Sequence, residues 1–420
     1  MHQRISYLLM IVFFLFARVG HAQETLTWED CLKEAAENHP DLIIAYEEIT
    51  QSKGDKTIAA SSLFPQISAD AAISTSHFKH SGSSKSSSYG VSGEQLIFDG
   101  LKTVNDTRAA SENIKAAKES YRFASSQVRW RLRTAFIGLL RAQSLVKITE
   151  DIRQIRKQNW ELIKLRYESG MEHRGAFLTA DANLAQAEFD IKSAKRAVEV
   201  AQQELIKELG RSEFSSIEVN GNFAVEADIE EKPDFVKIAD KHPNLLKAVA
   251  QENAALWNVK SSKGDFLPTV SVNGDLGKSG SSWPPDEFGS GAGLRVSLPI
   301  FSGGVRVARL SQAKSLYRQL QANERGTKDG LLVALRSSWN DFEDAVDNID
   351  VEKKFMAATE ERSKISESQY SVGLISFDNW TIIQDDLVRQ KKSLLDAQAN
   401  ALLAQANWIE AQGETLEYEE

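Results

Sequence analysis

The sequence predicts a mainly α-helical fold with a small β part, built as two copies of one unit, each a long helical hairpin joined to a pair of strands. Three observations carry this. Among 420 residues there are 8 prolines, and none lies between Gln66 and Lys232 or after Pro299. Proline breaks helix interiors, so the two proline-free tracts read as long helices and not as a string of compact domains. Short features recur at a constant offset of 203 residues, and segments alternating apolar and polar side chains follow both Pro65 and Pro268.

The chain opens with Arg4, an apolar run from Tyr7 to Phe16, and small residues Gly20 and Ala22 three and one before a cut after Ala22. This reads as a secretory signal peptide over 1–22, too short to span a bilayer as a helix. Losing Arg4 and Arg18 takes the formal charge from −9 to −11. Cys31, the one cysteine, excludes a disulfide framework and reads as a small apolar residue on a helix face, not a lipid anchor. An acidic chain lacks the basic face that nucleic acid needs. No other run is apolar enough to cross a membrane as a helix, so any crossing must use strands.

His39-Pro40 returns as His242-Pro243, and Phe64-Pro65-Gln66-Ile67-Ser68 as Leu267-Pro268-Thr269-Val270-Ser271. Ile97-Phe98-Asp99-Gly100 returns as Ile300-Phe301-Ser302-Gly303, Leu132-Arg133 as Leu335-Arg336, and Tyr167 with Gly170 as Tyr370 with Gly373. The copies are therefore expected at 23–225 and 226–420, with strand hairpins at 66–98 and 269–301.

Within the first copy, Thr25 to Ser62 reads as helix interrupted at His39-Pro40, with Asn38 or His39 capping the helix that runs on through Leu42, Ile43, Tyr46 and Ile49. His39 and His242 are helix-start residues repeated with the fold, not a paired ligand site. Pro65 and Pro268 mark helix-to-strand entries. Ile67, Ala69, Ala71 and Ile73 alternate with Ser68, Asp70, Ala72 and Ser74, and Val91 to Ile97 gives the return strand. The Ser-rich tract His77 to Ser88 and the segment Gly277 to Ala292 read as loops. Strands of about 10 residues with one apolar face suit a membrane barrel. Phe78, Tyr89, Phe98, Trp283, Phe288 and Phe301 sit near their ends, as interfacial aromatics do.

After Gly100 and Gly303 the helices run to Ser169 and Ser371. Ala110, Ile114, Ala117, Tyr121, Ala124 and Val128, then Leu132, Ala135, Leu139, Ala142 and Val146, form a coiled-coil seam with a stutter. Leu310, Ala313, Tyr317 and Leu320 continue the stripe in the second copy. Gly170 and Gly373 make turns, from which helices return to Leu209 and Trp408. The polar segment from Gly210 to Pro233 links the copies across the outside of the helical body. Four strands cannot close a barrel, since closed barrels have at least eight. Strand count alone leaves two, three or four chains open.

The duplicated Phe64-Pro65-Gln66-Ile67 and Leu267-Pro268-Thr269-Val270 entries, the Ile97-Phe98-Asp99-Gly100 and Ile300-Phe301-Ser302-Gly303-Gly304 junctions, and the tip from Tyr370 to Phe377 resemble the TolC-like outer membrane efflux proteins over essentially the whole mature chain. The resemblance implies a homotrimer: a 12-stranded outer-membrane β-barrel continuous with an α-helical barrel in the periplasm. It implies a passive exit duct for tripartite efflux or type I secretion. The implied partners are a periplasmic adaptor (membrane fusion) protein, an inner-membrane pump or ABC transporter, and outer-membrane lipid.

It also places candidate residues. The turns at Gly170 and Gly373, with Glu172, His173, Arg174, Leu374, Ile375 and Ser376, would form the exposed periplasmic tip that meets the adaptor. Some family members carry an acidic aperture ring six and nine residues past the second turn glycine. Here those positions hold Asn379 and Ile382, leaving Asp378, Asp385 and Asp386 as candidates. Pro65, Gly100, Pro268 and Gly303 are the strand–helix junctions. His77 and His80 form an HxxH in a flexible loop with no further ligand, so no metal is expected. With no phosphate loop, G-x-S-x-G or HExxH, no catalytic set and no cofactor are expected either. The competing reading is a periplasmic coiled-coil scaffold or adaptor without its own pore. An adaptor should carry a compact β-rich module between the helices of one hairpin, which this chain does not show.

Overall fold

The computed structural model describes residues 24–78, 82–225 and 232–416. The signal-peptide tract and His80 lie outside them. In order, the elements are β1 (Glu24–Leu26), α1 (Trp28–Asn38), α2 (Pro40–Ala60), β2 (Gln66–Phe78), β3 (Gly82–Phe98), α3 (Lys102–Glu168), α4 (Arg174–Leu209) and β4 (Ile217–Val219). There follow α5 (Phe235–Lys241), α6 (Pro243–Gly264), β5 (Thr269–Gly280), β6 (Glu287–Ser297), α7 (Val305–Ser371) and α8 (Phe377–Ala411). The starts of α2, β2, α3 and α4 recur 203 residues later as those of α6, β5, α7 and α8. Helices α3 and α7 each have 67 residues, a length of about 100 Å at 1.5 Å per residue.

Two compact units draw on both copies: residues 1–40, 126–232 and 337–420 in one, 41–125 and 233–336 in the other.

The second unit holds an antiparallel sheet in the order β2-β3-β5-β6. Its hairpins share one register: Gln66 lies opposite Glu94, and Thr269 opposite Ser297, each shifted by the repeat offset. The strands are longer than expected, 13, 17, 12 and 11 residues. Most of the expected loop from His77 to Ser88 is strand, with Ser83 to Ser88 paired to β2, and the loop from Gly277 to Ala292 shrinks to the residues between Gly280 and Glu287. Serine and glycine carry the same backbone donor and acceptor as apolar residues, so a neighbouring strand can pair them although composition reads as loop.

At the first strand-to-helix junction Gly100 and Leu101 take φ of 72° and 64°; at the second, Gly303 and Gly304 take 62° and 86°. Asp99 starts α3, its Oδ2 accepting from the Thr103 backbone N–H at 2.8 Å and the Thr103 hydroxyl at 2.6 Å. The start of α3 packs on α6: Lys102 Nζ meets Asp265 Oδ1 at 2.9 Å, and the Arg108 guanidinium lies 4.8 Å from the Trp257 ring centre.

His242 caps α6, its Nδ1 accepting from the Asn244 N–H at 3.1 Å beside the Phe123 ring. This matches the helix-start reading. Burial, then the charge of Arg122, lowers its pKa to about 4. The unfolded chain therefore binds a proton that the folded one refuses, so stability from this group is complete above pH 6.5 and drains as pH falls toward 4. His242→Asn keeps a capping side chain and removes up to about 3 kcal/mol of that acid sensitivity. Thermal unfolding in detergent at about pH 7.5 and about pH 4.5 should show a smaller gap for the variant.

In the first unit, Thr27 and Asp30 form a capping box at α1, with contacts of 3.3 Å and 3.0 Å. β1 pairs in parallel with β4, Thr25 opposite Glu218. This corrects two expectations: Thr25 and Leu26 are strand, not helix, and the Gly210 to Pro233 segment contains a strand. Three-residue strands carry too few positions for alternation to register. Beside them Glu208, 6% exposed, takes contacts from Lys207 at 2.8 Å, Arg131 at 3.1 Å and His39 at 3.4 Å. Burial pushes its pKa up, but hydrogen bonds from His39 and Lys207 and the nearby cations win and hold it at about 2. Gly210 ends α4 at φ 78°, its absent Cβ leaving room for the Asn38 carbonyl.

The seam of α3 is buried at Val128, Leu132, Ala135, Leu139 and Ala142. On α4 the buried face is alanine, at 176, 180, 187, 194 and 201, a mostly seven-residue repeat that permits close helix approach. The larger apolar side chains Leu178 and Phe189 of that helix are 51% and 56% exposed in the single chain. Cys31 is fully buried, and burial pushes its thiol up to about 12.

Candidate functional site

Two features stand out, one in each unit. The sheet of the second unit has two chemically distinct faces. Because side chains alternate, the register stacks Ala69, Val91 and Leu276 in one row and Ala71, Tyr89, Lys278 and Phe288 in the next. Ile67, Ile73, Leu294 and Val296 extend this apolar face, 63–75% exposed in the single chain. The opposite face carries Ser68, Asp70, Ser92, Glu94, Asn273, Asp275 and Arg295, with the Ser68 and Ser92 hydroxyls 2.8 Å apart. Tyr89 meets Trp283 edge-on, ring centres 6.0 Å apart. Nine residues separate Tyr89 from Phe98 on β3. That is about 30 Å along a strand, or about 21 Å of height at a 45° tilt, close to the apolar band of an outer-membrane barrel. The outer edges of β2 and β6 have no partner strand among the described residues. No described helix is long and apolar enough to cross a membrane.

The helix tips lie in the first unit and repeat one geometry. At Gly170, φ 75°, the Gly170 N–H donates to the Tyr167 carbonyl at 3.0 Å and the Met171 N–H to Arg166 at 2.8 Å. At Gly373, φ 78°, Gly373 donates to Tyr370 at 3.0 Å and Leu374 to Gln369 at 2.8 Å. Both are Schellman ends that need a left-handed residue, which glycine supplies. His173 and Ser376 then cap α4 and α8, accepting from Ala176 N–H at 3.1 Å and Asn379 N–H at 3.3 Å. Arg174 begins α4.

Behind the tips lies one core of Ile163, Ala176, Ala180, Tyr370, Phe377 and Trp380. Tyr370 stacks on Trp380, centres 4.7 Å apart and planes 6° apart, and the Arg166 guanidinium sits 4.8 Å from the Tyr370 ring. The Tyr370 hydroxyl donates to Glu172 Oε2 at 2.6 Å; burial, then that carboxylate, raises its pKa.

Two expectations are corrected here. Glu172 is not an exposed contact residue: its side chain is 11% exposed and tied to Tyr370. Ile375 is partly buried against the core. The family resemblance placed both at an exposed tip, but a charge with a buried hydroxyl in reach and an aliphatic chain beside aromatics both turn inward. Gly170, His173, Arg174, Gly373, Leu374 and Ser376 are exposed, and so are Met171 and Val372, which spacing alone did not single out. Their place beside the turn glycines was the available signal.

The aperture candidates separate. Asp378 is exposed in the first turn of α8. Asp385 pairs with the buried Arg156 of α3 at 2.5 Å, and Asp386 with Arg389 at 3.2 Å and Arg362 of α7 at 3.5 Å. The last two carboxylates therefore tie helices together. Of the junction residues, Pro65 and Pro268 stand just before β2 and β5, while Gly100 and Gly303 stand between strand and helix. Among the described residues no group of three His, Cys, Asp or Glu is placed to hold a metal.

The sequence model of one family, outer membrane efflux protein, matches residues 31–211 and again 236–416. The chain belongs to the outer membrane efflux protein family. Relatives in that family include the outer membrane efflux protein BepC of Brucella suis, 22% identical over 94% of this chain and 87% of the relative. The outer membrane protein TolC of Escherichia coli K12 is 22% identical over 94% of this chain and 81% of its own. Among solved structures, the outer membrane protein VceC of Vibrio cholerae superposes with a TM-score of 0.79 at 18% identity, covering 93% of this chain and 97% of that one. The efflux-protein family model thus matches twice within one chain, once on each side of the segment that links the copies.

Proposed function

We propose that this efflux-family chain is the outer-membrane exit duct of a tripartite efflux or type I secretion system. Three copies close their sheets into one 12-stranded barrel, and the long helices form a periplasmic tunnel. The observation that carries this reading is the amphipathic four-stranded sheet, whose two edges are open among the described residues. In hydrocarbon an open edge leaves backbone groups unsatisfied, so such a sheet is complete only when closed by further copies. A pore-free periplasmic scaffold leaves that sheet unexplained.

The helix tips are the docking end for a periplasmic adaptor, with Met171, Val372 and Leu374, 65–74% exposed, as the apolar contact around His173 and Arg174. An inner-membrane pump or ABC transporter supplies the energy, and the duct is passive. Cell fractionation with unheated SDS gels tests the reading: the protein should follow the outer membrane and run as an oligomer that heating dissociates. A soluble periplasmic monomer overturns it.

The Arg156–Asp385 and Arg362–Asp386 pairs and the Tyr370–Glu172 bond tie the tip segments together, and in this reading those ties keep the aperture narrow. Asp385→Ala combined with Asp386→Ala leaves the buried Arg156 without its carboxylate and loosens α8. Single-channel conductance in planar bilayers should rise; unchanged conductance removes these pairs from the aperture.

A further inference from the structure

We infer that β6 of one copy pairs antiparallel with β2 of a second copy in one fixed register, Val296 opposite Ala71 and Arg295 opposite Ala72. This deepens the proposed assembly and rests on it; the register itself comes from the chain's internal repeat. The two hairpins have the same register under the 203-residue offset. They are joined by β3 of the first copy of the repeat and β5 of the second, with Gly93 opposite Gly274 and Ser92 opposite Asp275. β6 is the repeat counterpart of β3, and β2 that of β5, and these are the two strands with an open edge. Moving the β3–β5 join by 203 residues places Val296 opposite Ala71 and Arg295 opposite Ala72 of the next molecule.

The faces agree with this register. Leu294 falls opposite Ile73, and Val296 opposite Ala71, so the apolar face runs on unbroken. A one-residue slip would set Val296 against Asp70 or Ala72 and turn the polar face of β2 toward lipid. Two-residue slips keep the faces and are the real competitors.

Burial of the helices supports the same join independently. Asn105, Ala109 and Ala116 of α3 are 4–8% exposed, where α6 packs on that helix. Their counterparts on α7, Ala308, Gln312 and Gln319, are exposed. On the other side, Ala254 and Val259 of α6 are buried, while their counterparts Gln51 and Lys56 of α2 are exposed. So the chain holds one join of this kind and displays both uncovered halves of another. Past the end of β6, Phe301 is 89% exposed against 37% for its counterpart Phe98, which lies opposite Val270. The shifted join puts Phe301 opposite Ile67 of the neighbour.

Cysteine pairs test the register in outer membranes oxidised with copper phenanthroline. Cys31, fully buried with its thiol pushed up to about 12, does not compete. The in-register variants are Ala71→Cys with Val296→Cys, and Ala72→Cys with Arg295→Cys. Successive pairs alternate between close and wide spacing, so one of the two has favourable disulfide geometry. The slipped controls are Ala69→Cys with Val296→Cys, and Ile73→Cys with Val296→Cys. The expected result is a covalent dimer-and-higher ladder from at least one in-register pair, about tenfold or more stronger than from either slipped pair. A slipped pair that cross-links best, or an oligomer on unheated gels that cross-links through none of the four, overturns the register while leaving the assembly standing. A monomer on the same gels overturns the assembly, and the register with it.

Discussion

Gly100→Ala is expected to remove the assembled protein from the outer membrane and to destabilise its strand-bearing unit by more than about 3 kcal/mol. Gly100 sits at φ 72°, where an L side chain is strained. A Cβ there would lie 2.5 Å from the Gly264 carbonyl oxygen and 2.8 Å from Leu267 Cβ. Neither neighbour is the free end of a flexible side chain, so the start of α3 must move off α6, taking Lys102 from Asp265 and Arg108 from Trp257. Gly303→Ala is the control. Its Cβ meets nothing within 4 Å in the chain, so the backbone term of about 1–2 kcal/mol is all the single chain loses. Oligomer yield on unheated gels and thermal unfolding in detergent should rank the parent above Gly303→Ala, and Gly303→Ala far above Gly100→Ala.

Trp380→Ala should have the largest effect at the tips. Trp380 is 2% exposed, stacked on Tyr370 and within 6.2 Å of Phe377. Emptying that site costs about 3–5 kcal/mol locally, because the aromatic neighbours collapse only partly onto the space. The loss falls on the core that positions Tyr370 toward Glu172 and Arg166. The tips should therefore loosen while the sheet stays intact. The expected result is an oligomer of normal yield with raised open-state conductance; normal conductance would show that the tips do not set the aperture. Trp380→Phe keeps most of the stacking area and should lie near the parent.

The repeat offset made most of this fold legible. It set the starts of α2, β2, α3 and α4 and their counterparts, because each is punctuated by proline or glycine whose backbone limits act locally. β1 and β4 were not legible: a three-residue parallel pair depends on two segments far apart in the chain and leaves no local pattern. The strand lengths were underestimated because Ser83 to Ser88 looks like a loop by composition, while the partner strand decides its conformation. At the tips the turn glycines were legible, but the inward turn of Glu172 was not. That depends on Tyr370, 198 residues away, presenting a hydroxyl. The alanine face of α4 was visible in principle as a seven-residue repeat, but alanine is too small to dominate an apolar stripe.

Single-channel recording of the purified oligomer in planar bilayers decides whether this chain forms a duct. The parent protein should give discrete, uniform conductance steps, with cation over anion selectivity in keeping with the formal charge of −11 that remains once Arg4 and Arg18 leave with the signal peptide. A membrane-extracted oligomer that never conducts, in the parent and in Trp380→Ala alike, would contradict it.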